Sequence, residues 1–194
     1  MNYLFWSGGK DAFLAWHFWR ERRPEAELTL LTTYNEETGV VPHQQIPMEN
    51  IRRQAGMMAL PLAEVALPPE CPNETYLEKV REAFAEHGQP GELIFGDWKL
   101  EEVRAWREKH FGERCRFPIW KKDLDELMTL LTLLPVEVRI SAVREEFRHL
   151  LKPGERYGQG LVRQLLHLGG EIDPMGENGE FHTEVRFADP PKPV

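Results

Sequence analysis

A short apolar run, Asn2–Trp6, passes through Ser7-Gly8-Gly9 into a helix-length segment, Asp11–Arg22. Nearly every residue from Ala12 to Trp19 in that segment is apolar, and His17 is the exception. A strand of that character is buried on both faces, and a helix apolar on most of its circumference needs cover on more than one side. The chain must therefore build layers around this first strand–helix pair. The same exchange then recurs. Strands are expected at Leu28–Tyr34, Leu62–Ala66, Leu93–Phe95 and Arg114–Phe117. Between them lie helical periods at Glu49–Met58, at a segment capped by Asn73 or Thr75 that aligns Leu77, Val80 and Phe84, at Leu100–Lys109, and at Asp123–Thr132. Strands separated by helices predict an α/β fold, with a mostly parallel sheet and helices on both faces. A β-branched strand Val136–Ala142, a helix Gly160–Leu168 and a closing strand Glu180–Phe187 remain as a small C-terminal extension. The expected division is a core over 1–130, an extension of the same domain over 131–188, and an extended, frayed tail over 189–194.

With 41% hydrophobic residues the chain has material for a core, yet no run approaches the roughly 18 apolar residues of a membrane helix. The first strand starts at Asn2, so no leader is expected, and a cytoplasmic location is the default. The formal net charge of −8 disfavours a nucleic-acid backbone as partner. The two cysteines, Cys71 and Cys115, form no CxxC pair and the seven histidines no HExxH pair, so no side-chain metal site is expected.

In parallel sheets ligands sit beyond the carboxyl ends of the strands. That rule singles out Ser7–Asp11, Thr32–Asn35 and Gly96–Lys99. The first of these has the chemistry of a phosphate cradle. Gly8 and Gly9 permit unusual dihedrals and close approach, and the first amides of the following helix face outward where its dipole favours an anion. Ser7 offers a hydroxyl, Lys10 a compensating charge, and Asp11 opens the helix. A Walker A loop would need glycine where Leu4 stands, and GxGxxG is absent. The second candidate segment is Asp173–Glu184, where two glycines and a proline set a loop before the last strand. It carries Glu177, Asn178, Glu180 and His182. On an extended strand Glu180, His182 and Glu184 share a face, able to accept hydrogen bonds from an ammonium or amide and to relay protons.

Ser7-Gly8-Gly9-Lys10-Asp11 resembles the signature of the PP-loop ATP pyrophosphatases, with Ala12 where that pattern has Ser or Thr. Gly176-Glu177-Asn178-Gly179-Glu180-Phe181-His182-Thr183 is similar to the second signature of one branch, the diphthine–ammonia ligase family, with Met175 where that family often has Cys. Phe95-Gly96-Asp97, Leu100, Arg104 and Phe117-Pro118-Ile119-Trp120 resemble its intermediate blocks in the same order. The likeness runs over about residues 3 to 187. It implies a Rossmann-like fold of the adenine nucleotide α-hydrolase type. It also implies an ATP- and Mg2+-dependent ligase that adenylates a carboxylate and transfers ammonia to it, releasing AMP and pyrophosphate. The acceptor is then diphthine on translation elongation factor 2, or another protein or small carboxylate. A nucleotide-binding sensor without turnover is the other reading. The implied nucleotide contacts are Ser7, Gly8, Gly9, Lys10, Asp11 and Thr33. The implied catalytic set is Asp97, Glu177, Asn178, Glu180 and His182. Asp97 either meets ribose, metal or substrate or caps a helix. Arg104 either steadies an anion or lies on the surface, Trp120 packs, and Thr38–Ile46 is a candidate lid over ATP.

Overall fold

The computed structural model describes residues 1–191. In chain order the elements are β1 (Asn2–Phe5), α1 (Lys10–Arg22), β2 (Leu28–Asn35), a hairpin of β3 (Val40–Val41) and β4 (Ile46–Pro47), α2 (Met48–Met58), β5 (Leu62–Leu67) and α3 (Asn73–His87). They continue with β6 (Leu93–Ile94), α4 (Glu101–Phe111), β7 (Cys115–Arg116), α5 (Leu124–Leu133), β8 (Val136–Val143), α6 (Gln159–His167) and β9 (Phe181–Phe187). The last three residues of the expected tail, 192–194, lie outside the described residues.

Five strands pair in parallel in the order β5–β2–β1–β6–β7. The fold is α/β and Rossmann-like. Alternation along each strand decides which helices cover which face. Leu4, Leu30 and Ile94 point to a core filled by α1, α2 and the C-terminal elements. Tyr3, Leu31, Leu93 and Phe95 point the other way, toward Val80, Ala83 and Phe84 of α3. The chain steps outward from β1 to β2 and β5, then returns across β1 to β6. The order therefore reverses between β1 and β6, which opens a crevice beyond their carboxyl ends.

Two local expectations change. The candidate lid segment is a hairpin hung from the end of β2 by the antiparallel pair Asn35–Val40. Strands of two residues carry no readable alternation. The turn between them places His43 and Gln45 at positive φ. Neither Asn73 nor Thr75 caps α3. Pro72 occupies the cap position with φ −63°, and its ring sets the entry geometry without a side-chain hydrogen bond.

β8 and β9 form a separate antiparallel pair with a bulge between Ile140 and Ala142. Val138, Ile140, Phe181 and Val185 from this pair join the same buried cluster as Leu4, Phe13 and Ile51. Among the described residues no helix is long and apolar enough to cross a membrane.

Candidate functional site

Beyond the ends of β1, β2 and β6 lies a cavity of about 410 Å³. Ser7, Asp11 and Ala12 of the first turn, Thr33 of β2, and Gly96 and Asp97 after β6 all line it. The hairpin supplies Val41, Pro42, His43 and Gln44 as a further wall. All three strand-end segments singled out from the sequence thus border one space. An open trough of about 470 Å³ adjoins it along α3 and α4, sharing Tyr76 and Arg107.

The turn after β1 is held by groups remote in sequence. Gly8 sits at φ +80°, and a Cβ there would lie 2.7 Å from the Ile51 side chain. Gln54 of α2 is 4% exposed, accepts the Trp6 indole N–H at 2.8 Å, and donates to the carbonyls of Val185 at 2.8 Å and Gly8 at 3.3 Å. From the other side the Val185 amide donates to the Gly8 carbonyl at 2.9 Å, and the Lys10 amide donates to the Thr183 hydroxyl at 3.1 Å. The Gly9 amide reaches the Ser7 hydroxyl at 3.4 Å. None of these bonds that fix the turn uses the amides of Gly8, Asp11 or Ala12, which leaves them for an anion at the start of α1. Ala12 is buried at the cavity wall and brings no hydroxyl.

The Lys10 ammonium does not line this cavity. It is buried, donates to Asp11 Oδ2 at 2.8 Å and to the Met175 carbonyl at 2.6 Å, and lies over the rings of Tyr157 and Phe181. Asp11 Oδ1 is buried with no partner. Burial raises the Asp11 carboxyl above its ordinary value, with Lys10 opposing and Asp97 adding to the rise.

The second motif meets the first through this contact. Glu177 sits in the loop after Met175, and its Oε2 accepts the Lys99 amide at 3.2 Å. Burial, followed by the charge of Asp11, pushes its carboxyl up to about 7, while Lys10 pulls the other way. His182 faces His43 of the hairpin, ring centroids 5.9 Å apart. Burial first, then the charges of His43 and Lys10, lower its imidazole to about 4, so it is neutral at pH 7.

The rest of the expected set sits differently. Glu180 precedes β9 and turns into the loop. It accepts the amides of Asp173 at 2.9 Å and Asn178 at 3.0 Å, and the Asn178 side chain at 3.0 Å. Burial raises its carboxyl, but these donors outweigh that and leave it below the ordinary value. Glu180 and Asn178 thus order the loop that carries Glu177. Glu184 is buried and taken by Asn50 at 2.6 Å and by Arg186. Asp97 makes a two-pronged ion pair with Arg107, at 2.6 and 3.1 Å, at the cavity wall. Arg104 points elsewhere, paired with Glu108 at 2.8 Å and stacked on the rings of Phe117 and Trp120. Sequence reasoning chose Arg104 and passed over Arg107, one turn further along α4. It also passed over Gln54, Thr183 and His43. Gln54 sat in plain view as an amide among the apolar positions of α2, but only the fold supplies its three partners. Among the described residues no group of three or more His, Cys, Asp or Glu could hold a metal ion.

No family model and no curated protein matches the chain. Among solved structures it is similar to the crystal structure of a predicted subunit of tRNA methyltransferase from Methanocaldococcus jannaschii. The identity is 16% and the TM-score 0.46, over 98% of this chain and 96% of that one.

Proposed function

We propose that the chain is an ATP-dependent ligase that adenylates a carboxylate and passes the acyl group to ammonia, releasing AMP and pyrophosphate. The observation that supports this reading best is the meeting of two motifs 165 residues apart, Lys10 with Met175 at 2.6 Å, which brings Glu177 beside the phosphate turn. In this reading ATP lies across the crevice, with adenosine toward Thr33, ribose toward Asp97, and phosphates on Ser7 and the uncommitted amides of Gly8, Asp11 and Ala12. Asp11 Oδ1, buried without a partner, fits a contact to a water of phosphate-bound Mg2+. Held there, such an ion would offset the negative charge of the pyrophosphate leaving group.

The acceptor carboxylate attacks the α phosphorus and pyrophosphate leaves. Ammonia then attacks the acyl carbon and AMP leaves. Ammonium must first give up a proton, and a carboxylate near pH 7 is suited to take it. That makes Glu177 the general base, while neutral His182 stands against His43 of the hairpin. Diphthine on elongation factor 2 and small carboxylates are the acceptor classes. Ala12, a methyl where a phosphate-binding hydroxyl would stand, favours the second reading of a nucleotide sensor with little turnover.

The test is product analysis with ATP, ammonium and each acceptor class in turn. AMP, pyrophosphate and an amide product are expected. ADP and orthophosphate would reject the reading, and tight ATP binding with no product from any acceptor would favour the sensor. Glu177→Gln should keep ATP binding and slow amide formation by about 10² or more. Unchanged turnover in that variant removes Glu177 from the chemistry.

A further inference from the structure

We infer that Lys10 is a positioning residue, a strut that joins the phosphate turn to the loop carrying Glu177, and not a ligand of the phosphates. The inference rests on the ligase reading for its catalytic consequence, but its geometry stands apart from it.

Lys10 is 2% exposed, although its neighbours Ser7, Asp11 and Ala12 all border the cavity. Both of its ends are committed. The backbone amide is held by Thr183, and the ammonium bonds Asp11 Oδ2 and the Met175 carbonyl. Its remaining approach is closed by two aromatic faces, Tyr157 at 5.4 Å and Phe181 at 5.8 Å from ring centroid to nitrogen. A cation over such faces gains attraction that a solvated lysine lacks. Those two rings also shape the loop. The Tyr157 hydroxyl donates to the Pro174 carbonyl at 2.8 Å. Phe181 packs so close to Gly176 that a Cβ there would lie 2.6 Å from the Phe181 carbonyl oxygen and 3.2 Å from its ring.

To reach a phosphate in the cavity, Lys10 would have to abandon bonds of 2.6 and 2.8 Å. It would leave the buried Met175 carbonyl and one oxygen of Asp11 without their donor. Unpaired groups of that kind are costly. The amides of Gly8, Asp11 and Ala12 carry no such commitment, and Asp11 and Ala12 border the cavity. The division of labour follows. Backbone amides take the anion, while Lys10 holds residues 173–179 so that Glu177 lies against the Lys99 amide.

The decisive variant is Lys10→Met, which keeps length and apolar stem and removes the charge. ATP affinity, read by calorimetry, should stay within about threefold of wild type, while turnover falls about 10²-fold. Amide hydrogen exchange across 173–179 should quicken by about tenfold or more. A loss of ATP affinity of about 10²-fold with loop exchange unchanged overturns the strut and makes Lys10 a phosphate ligand. If Lys10→Met does not fold, Tyr157→Phe loosens the same loop from the other side. It should quicken exchange and slow turnover at unaltered ATP affinity, and unchanged exchange there overturns the inference. Should wild type bind no ATP at all, the ligase reading fails. The exchange measurement still decides the strut.

Discussion

Replacing Gly96 by alanine puts the packing of the site to its hardest test. A Cβ built there lies 2.7 Å from the Asp11 carbonyl carbon, 2.8 Å from the Ala12 nitrogen and 2.8 Å from the Asp11 oxygen. All three are backbone atoms of the first turn of α1, so no side-chain rotamer can absorb the clash. Ordinary contact begins near 3.4 Å, which asks α1 to retreat from β6 by about 0.7 Å. Phe13 and Trp16 on that helix are 1% and 3% exposed, so a retreat opens gaps on its far side as well. Overpacking costs typically about 1–3 kcal/mol, and the upper end applies where only backbone can yield. With a urea dependence of about 2 kcal/mol per M for a domain of this size, the midpoint should fall by about 1.5 M. Gly160→Ala is the control, because no atom lies within 4 Å of a Cβ there and the position is inside α6. It should stabilise by up to about 1 kcal/mol through helix propensity. ATP affinity should drop in Gly96→Ala and not in Gly160→Ala, since Asp11 and Ala12 border the cavity. If Gly96→Ala unfolds within about 0.5 kcal/mol of wild type, the close approach of α1 to the end of β6 is not what shapes the phosphate turn.

Gln54→Leu keeps similar bulk but strands the buried Trp6 indole N–H and frees the Val185 carbonyl. It should cost about 2–4 kcal/mol by chemical denaturation, and a loss below 1 kcal/mol would mean that the amide clamp is dispensable. His182 carries a pH signature. Its folded value, about 4, lies below the ordinary 6.5, so the unfolded chain binds the extra proton between those limits. The stability it contributes is full above about pH 6.5 and drains away as pH falls toward 4, by roughly 3 kcal/mol in all. Glu177 acts with opposite sign. Raised to about 7, it favours the folded state below that pH and weakens it as pH rises from 4.5 through 7. His182→Asn should therefore gain on wild type by about 2–3 kcal/mol between pH 7 and pH 4.5 in urea titrations. Parallel curves for the two proteins would refute the buried, neutral imidazole.

Much of the fold was legible because its code is local. Apolar runs and 3.6-residue periods put β1, α1, β2, α2 and β5 within a residue or two of their observed bounds. The hairpin of β3 and β4 was not, since two-residue strands have no pattern to read. The site was legible in part. Ser7, Asp11, Thr33 and Asp97 border one cavity because they follow strand ends, a position that the order of elements already implies. Glu180 was grouped with His182 and Glu184 by strand alternation, yet it lies one residue before β9 and serves the loop. Arg104 and Arg107 share α4, and nothing within the helix tells which of them faces the crevice.

The residues by themselves determined that a glycine-bearing turn follows the first buried strand and opens a helix, because dihedral freedom and apolar periodicity act within a few positions. Only the tertiary structure decided that Lys10 turns inward, that Gln54 and Thr183 clamp the turn, and that Glu177 arrives beside it. Those outcomes depend on where β9 packs against α1 and α2. Contacts between residues 165 positions apart are set by which surfaces the whole chain buries together, and no local stretch contains that information.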